Sequence, residues 1–232
     1  MADKQTKSLK MFLLAMSGSL AVAAVCWFGR PPRVTVDFLN VGQGDAMLVR
    51  SGNNEILIDG GPDRSVLAEL GRTMPFFDRT IEYVVATHPH TDHIRGLSAV
   101  FERYQVKKML ISVADAETGE VVRLLQSARA AGAEILEVGG GDSVRLPNAE
   151  LDILWPPAVK SSSSGQNDDG GLNDISLVMK LTGFCDGPTA KESTSCPAVM
   201  FAGDASIEIE RLLMAGGSSL GARVLKVGHH GS

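Results

Sequence analysis

The chain has 232 residues, 44% of them hydrophobic, and a formal net charge of −5 from 22 basic and 27 acidic side chains. An acidic balance and an aromatic content of only 5% exclude a general nucleic-acid binder built on a basic face or a base-stacking platform. They leave room for brief contact between a phosphodiester and a local site.

At the N-terminus, Lys4, Lys7 and Lys10 precede an uncharged stretch from Met11 to Gly29, which Arg30, Pro31, Pro32 and Arg33 close. A run of ~19 residues is just enough to cross a bilayer. Positive charge is denser before the run than after it, which places residues 1–10 in the cytoplasm and the rest of the chain outside. The rival is a cleaved signal peptide with Ala21-Val22-Ala23 as its small-residue site, although the apolar run continues through Val25, Trp27 and Phe28. The expectation is a single-pass, membrane-anchored protein with residues 11–29 as anchor and an exported unit over 33–232. About 200 residues can bury one core, so one domain is expected there.

Strands are predicted at Val34–Phe38, Ala46–Arg50 and Glu55–Asp59, a helix at Arg64–Thr73, and a buried strand at Ile81, Tyr83, Val84 and Val85. A helix follows through Ile94, Leu97 and Val100, capped by Thr91 or Asp92. Next come a strand at Lys107–Ser112, a helix at Gly119–Ala131, and strands at Glu134–Val138, Ser143–Leu146 and Leu151–Leu154. Lys160–Gly171, rich in serine and glycine, reads as a loop, either a lid or disordered. Strands at Leu177–Phe184 and Ala198–Ala202, a helix through Ile207, Ile209, Leu212 and Leu213, and a strand at Arg223–Val227 complete the chain. Cys185 and Cys196 bracket the turn between two of these strands, and a disulfide there would close a short loop and persist only in an oxidising compartment.

All five histidines fall in two clusters: His88, His90 and His93 in Thr-His-Pro-His-Thr-Asp-His, and His229-His230 in Gly-His-His-Gly-Ser. On an extended segment leaving a strand, residues two apart point the same way, so His88 and His90 can grip one ion with imidazole nitrogens, and Pro89 stiffens the grip. The turn into the helix re-aims Asp92 and His93 toward a second ion. Four ligands within six residues suit a pair of metals.

This pattern resembles the metallo-β-lactamase superfamily, whose signature His-x-His-x-Asp-His at a strand's end is complete here. More narrowly, Asp37–Asp45 (Asp-Phe-Leu-Asn-Val-Gly-Gln-Gly-Asp), Leu57–Gly61, Phe201–Asp204 and Leu225–Ser232 resemble the hydrolase domains of the ComEC family of DNA-uptake competence proteins. One departure is Asn40, where that subfamily usually has aspartate. The resemblance implies a four-layer αβ/βα sandwich. It also implies a dinuclear site, with His88 and His90 on one ion, Asp92 and His93 on the other, Asp204 bridging, and His229 completing the second. His230 can trade places with His229 or face substrate. The superfamily's third histidine on the first ion has no counterpart; Asn173 and Asp174 hold its place, with Asp174 the substitute ligand or an ordinary turn residue. A carboxylate there hardens the site, making manganese a rival to zinc.

Asp59 is implied as an outer carboxylate that orients a metal-bound histidine. Asp45 and Gln43 shape the neighbouring turn or reach the same floor. Two ions ~3.5–4 Å apart acidify a shared water and clamp an oxygen that gains negative charge. Asp92, Asp204 and His230 are the candidates for a direct part in that chemistry, with Lys226 placed to neutralise a substrate phosphate or, as on many edge strands, to face water. The resemblance points to phosphodiesters, single-stranded DNA in particular. Hydrolysis of other small phosphoesters and a catalytically inactive surface binding protein are the alternatives. One helix cannot form a DNA passage, so uptake would need a separate channel. Family members continue past His-His-Gly-Ser, so the fold's C-terminal part is expected to be missing here, leaving the last ligand frayed.

Overall fold

The computed structural model describes residues 34–112, 118–158, 169–184, 197–217 and 219–231, together with Met16, Gly18 and Ser19, which are helical. The chain divides into two units, Met1–Pro32 and Arg33–Ser232. The predicted anchor and the predicted disulfide pair, Cys185 and Cys196, lie outside the described residues. Among the described residues no helix is long and apolar enough to cross a membrane.

The second unit contains two sheets. The first runs β1 (Val34–Phe38), β2 (Met47–Ser51), β3 (Asn54–Ile58), β4 (Thr80–Ala86), β5 (Gln105–Ser112) and β6 (Glu134–Val138) in spatial order. The second runs β11 (Val224–Lys226), β10 (Ala198–Phe201), β9 (Val178–Gly183), β8 (Ala149–Trp155) and β7 (Ser143–Arg145). β1, β2 and β3 pair antiparallel, whereas β3 to β6 run parallel, as do β10 and β11.

Strand alternation builds the layers, because successive side chains leave a strand on opposite faces. Leu48, Leu57, Val84 and Met109 face one way and bury against Leu70, Leu97, Val100 and Leu124 of helices α1 (Ser65–Thr73), α2 (Thr91–Arg103) and α3 (Gly119–Ala130). Their neighbours Val49, Ile56, Ile58, Val85 and Leu110 face the other way, against Leu151, Ile153, Met179 and Phe201 of the second sheet. On that sheet's far side Val178 and Met200 pack on Ile209 and Leu213 of helix α5 (Ile207–Ala215). The order helix, sheet, sheet, helix is the expected mixed α/β sandwich.

Most predicted elements lie within two residues of the observed ones. Two differ. Helix α2 begins at Thr91 with His90 as its cap residue and no side-chain capping bond, so neither Thr91 nor Asp92 caps it; Asp92 sits in the first turn, where a negative charge favours the helix dipole. Part of the predicted loop folds as a short helix α4, Asp169–Asn173.

Candidate metal centre

The parallel strands bring their C-terminal ends to one edge of the sandwich, and the polar residues sit on the turns that leave them. Asp59 follows β3, and His88 and His90 follow β4; Asp204 follows β10, and His230 follows β11. Asp45 lies just ahead of β2, whose antiparallel run starts at the same edge.

Asp59 is fully buried with φ at 57°, a left-handed conformation uncommon for a non-glycine residue. One of its oxygens accepts from the Thr87 N–H at 2.9 Å. The other accepts from the Thr87 hydroxyl at 2.7 Å and meets His93 Nδ1 at 2.8 Å. The Thr87 hydroxyl thereby has a lone pair left for the His88 Nδ1–H, 3.0 Å away. Each buried histidine is thus held through Nδ1, and Nε2 is turned into the site.

There the two Nε2 atoms find Asp204 Oδ2, 3.3 Å from His93 and 3.8 Å from His88. His230 Nε2 lies 3.6 Å from the same oxygen and 3.2 Å from Asp92 Oδ2. Two groups with ion-binding spacing result: His88, His90 and Asp204, and Asp45, His93, Asp204 and His230. Asp204 belongs to each.

Neither His88 Nε2 nor His93 Nε2 makes a hydrogen bond, although each is buried. Leaving a buried polar atom unpaired is costly, and such atoms call for an explanation. Their lone pairs, that of His93 once an ion displaces its proton, converge with carboxylate oxygens and fit a divalent cation. The electrostatics agree. Burial, together with neighbouring His93 and His90, pushes His88 well below its ordinary value and keeps it neutral. Burial also works against a charge on His93, but the Asp59 and Asp204 carboxylates win and lift it to about 10. Asp204, despite burial, is held far below the usual carboxylate range by His93, His88 and Lys226. The pocket is thus built to hold positive charge.

Other predicted residues stand differently. Lys226 does not face water: it is buried, donates to the Gly203 carbonyl at 2.9 Å, lies 3.4 Å from Asp204 Oδ1 and pairs with Asp45 Oδ2. Of the adjacent pair, His230 enters the acidic group, whereas His229, the residue expected on the second ion, lines an adjoining cavity of about 860 Å³ with His90, Asp92, Asn173 and Arg123. The two occupy left-handed backbone, φ 42° and 52°, and their rings lie 6.1 Å apart, tilted by 49°. Asp174 joins neither group. Its carboxylate accepts from the Ser206 hydroxyl at 2.6 Å and its carbonyl from the Trp155 indole at 2.7 Å, so it ties the α4–β9 turn to the start of α5. Asp45, read from the sequence as shaping a turn or reaching the floor of the site, joins the second group. Its signal was positional: the glycines of Gly-Gln-Gly-Asp end at the same sheet edge as Asp59.

Residues 39–232 match the family model described as the metallo-beta-lactamase superfamily, and the chain belongs to that superfamily. Within it, the chain is similar to ComE operon protein 3 of Bacillus subtilis (strain 168), 27% identical over 215 residues. That match covers 85% of this chain but only 25% of the relative, so the chain spans about a quarter of that protein's length. Among solved structures, SMB-1 metallo-beta-lactamase aligns with a TM-score of 0.54 at 18% identity, over 84% of this chain and 76% of that one. Rm3 metallo-beta-lactamase aligns with a TM-score of 0.53 at 17% identity, over 82% and 73%. The structural likenesses establish the fold alone, and membership of the superfamily carries the coarse reading of a metal-dependent hydrolase.

Proposed function

We propose that the chain is a membrane-anchored, exported phosphodiesterase or nuclease with two divalent ions, zinc or manganese, acting on DNA. The observation that carries the reading is the meeting of Asp204 Oδ2 with His88, His93 and His230 nitrogens, two of them buried without a hydrogen bond. His88, His90 and Asp204 would hold one ion; His93, Asp204 and His230, with Asp45 or Asp92, would hold the other. Two such ions supply a water acidified toward neutral pH and stabilise developing oxyanion charge. The chain's own residues supply orientation: Thr87 and Asp59 fix the imidazoles, and Lys226 holds Asp204 Oδ1 so that Oδ2 alone faces the histidines. Arg123, paired with Glu120, lines the cavity beside His90 and Asp92 and is a cation that a substrate phosphate could reach. Similarity to ComE operon protein 3 supports a competence-related role, and a DNA substrate would then reach the site through a separate channel. The sequence from Lys4 to Arg33 supports an anchor with the hydrolase outside the cytoplasm.

The test is metal content per chain, measured by plasma mass spectrometry on protein purified without chelator, alongside hydrolysis of single-stranded DNA and of a chromogenic phosphodiester. The expected result is near two ions and DNA cleavage, with the Asp204→Ala variant losing metal and at least a hundredfold in rate. Trace metal in the wild type would overturn the hydrolase reading. Cleavage of the small ester alone would move the substrate class to small phosphoesters.

A further inference from the structure

The group His88, His90 and Asp204 presents three donor atoms. A divalent ion takes four or more, and hard ions take about six. Asn173 lines a cavity together with His90 of this group and with Asp92. It is only 8% exposed, and its Oδ1 has no hydrogen-bond partner. A buried amide oxygen left unpaired is the exception in folded proteins.

The turn that carries Asn173 is stitched to the metal-site loops on either side. Its backbone carbonyl accepts from the Ser176 N–H at 3.0 Å, while the Ser176 hydroxyl accepts from the Asp204 N–H at 3.2 Å. The Leu177 N–H reaches the carbonyl of Thr87, the residue before His88, at 2.9 Å. The turn that carries Asn173 is therefore tied to the loops that carry His88 and Asp204. Its neighbour Asp174 is committed elsewhere, to Ser206 and Trp155.

We infer that Asn173, not Asp174, supplies the fourth protein donor to the ion held by His88, His90 and Asp204, through its carboxamide oxygen. This rests on the two-metal reading above. An amide carbonyl is a neutral, hard donor that suits manganese, whereas imidazole suits zinc. With two imidazoles, one carboxylate and one amide oxygen, this half of the centre favours zinc over manganese less than a three-imidazole site does.

The experiment is titration of the full chain with Mn(II) and with Zn(II) against a competing chelator, for wild type, Asn173→Ala, Asn173→His and Asp174→Ala. Thermal unfolding of each apo protein checks that the variant is folded. The wild type is expected to take two manganese ions. Asn173→Ala retains one ion tightly and binds the other at least tenfold more weakly. Asn173→His restores an imidazole and shifts the Zn/Mn preference of that ion at least tenfold toward zinc, a gain that a misfolded variant cannot show. Asp174→Ala keeps two ions. The inference is overturned if Asn173→Ala binds both ions as the wild type does, with or without a change in KM, or if Asp174→Ala is the variant that loses one. A wild type without ions would instead bring down the two-metal reading itself.

Discussion

Asp59 shows how one carboxylate organises a site it need not touch. Its three short contacts, to the Thr87 N–H, the Thr87 hydroxyl and His93 Nδ1, set the orientation of two imidazoles. Asp59→Asn keeps the shape but replaces one acceptor oxygen by an N–H donor facing a donor. Loss of such an outer partner costs about 10–100-fold in metal affinity. Competition with a fluorescent chelator should show that loss for the ion bound by His93, and unchanged affinity would remove Asp59 from this role.

Glu55, away from the metal centre on β3, is a residue with a different consequence. It is 3% exposed, and burial, then the charges of Asp78 and Glu82, raise its carboxyl to about 7 against the opposing Arg50. Glu82, although burial opposes its charge, stays below the usual range because it accepts from the Glu55 N–H and the Lys107 ammonium. Glu55 therefore carries the proton and Glu82 the charge. An acid with a raised folded-state value contributes stability that is full below its unfolded value of 4.5 and is lost as pH rises through about 7. Urea unfolding should show stability falling over that window. Glu55→Gln should flatten the slope and stabilise the protein above pH 8 by on the order of 2 kcal/mol; a slope that survives the substitution would assign it to another group.

At the scale of elements, α2 depends on one close approach. Gly96 sits in its interior, where alanine would ordinarily improve a helix by about 1 kcal/mol. A Cβ there would lie 1.9 Å from the Gly60 carbonyl oxygen and 2.5 Å from that of Asp63, backbone atoms that cannot swing aside. The Gly96 N–H also donates to the Gly61 carbonyl at 2.9 Å, so the turn after Asp59 is fastened to the helix that carries His93. Gly96→Ala is therefore expected to destabilise by about 1–3 kcal/mol and to weaken metal binding with it. A stabilising outcome in urea unfolding would show that the turn and helix can separate without cost.

The whole second unit is a clamp whose jaws are its two sheets. His88 and His90 lie on a turn of one sheet and His93 on the helix that follows it, whereas Asp204 and His230 lie on turns of the other, so an ion shared among them would cross-link the sandwich. Ligands that bind only the folded state stabilise it by mass action, about 2.7 kcal/mol at a hundred times the dissociation constant. Chelation is expected to lower the melting temperature of the wild type by several degrees and that of Asp204→Ala by almost nothing. Equal shifts in the two proteins would mean that the metal binds outside this centre.

Much of this molecule was legible in its sequence because local rules wrote it. Alternating β-branched residues marked the strands, and apolar spacing marked α2 and α3. A spacing of two positions from His88 to His90 made a grip, and an aspartate before paired glycines marked Asp59. Long-range geometry was not legible. Spacing alone could not say that His230 rather than His229 turns inward, since the choice lies in two left-handed residues and a partner, Asp92, that is 138 positions away. Nor could it say that Lys226 points into the centre toward Asp45, or that Asp174 is spent on Ser206 while Asn173 lines a cavity with His90. The sequence by itself determined which chemistry the protein carries, because residue type and local spacing fix donor atoms. The tertiary structure decided which of those donors meet, because that depends on which turns the packing of the two sheets brings to one edge.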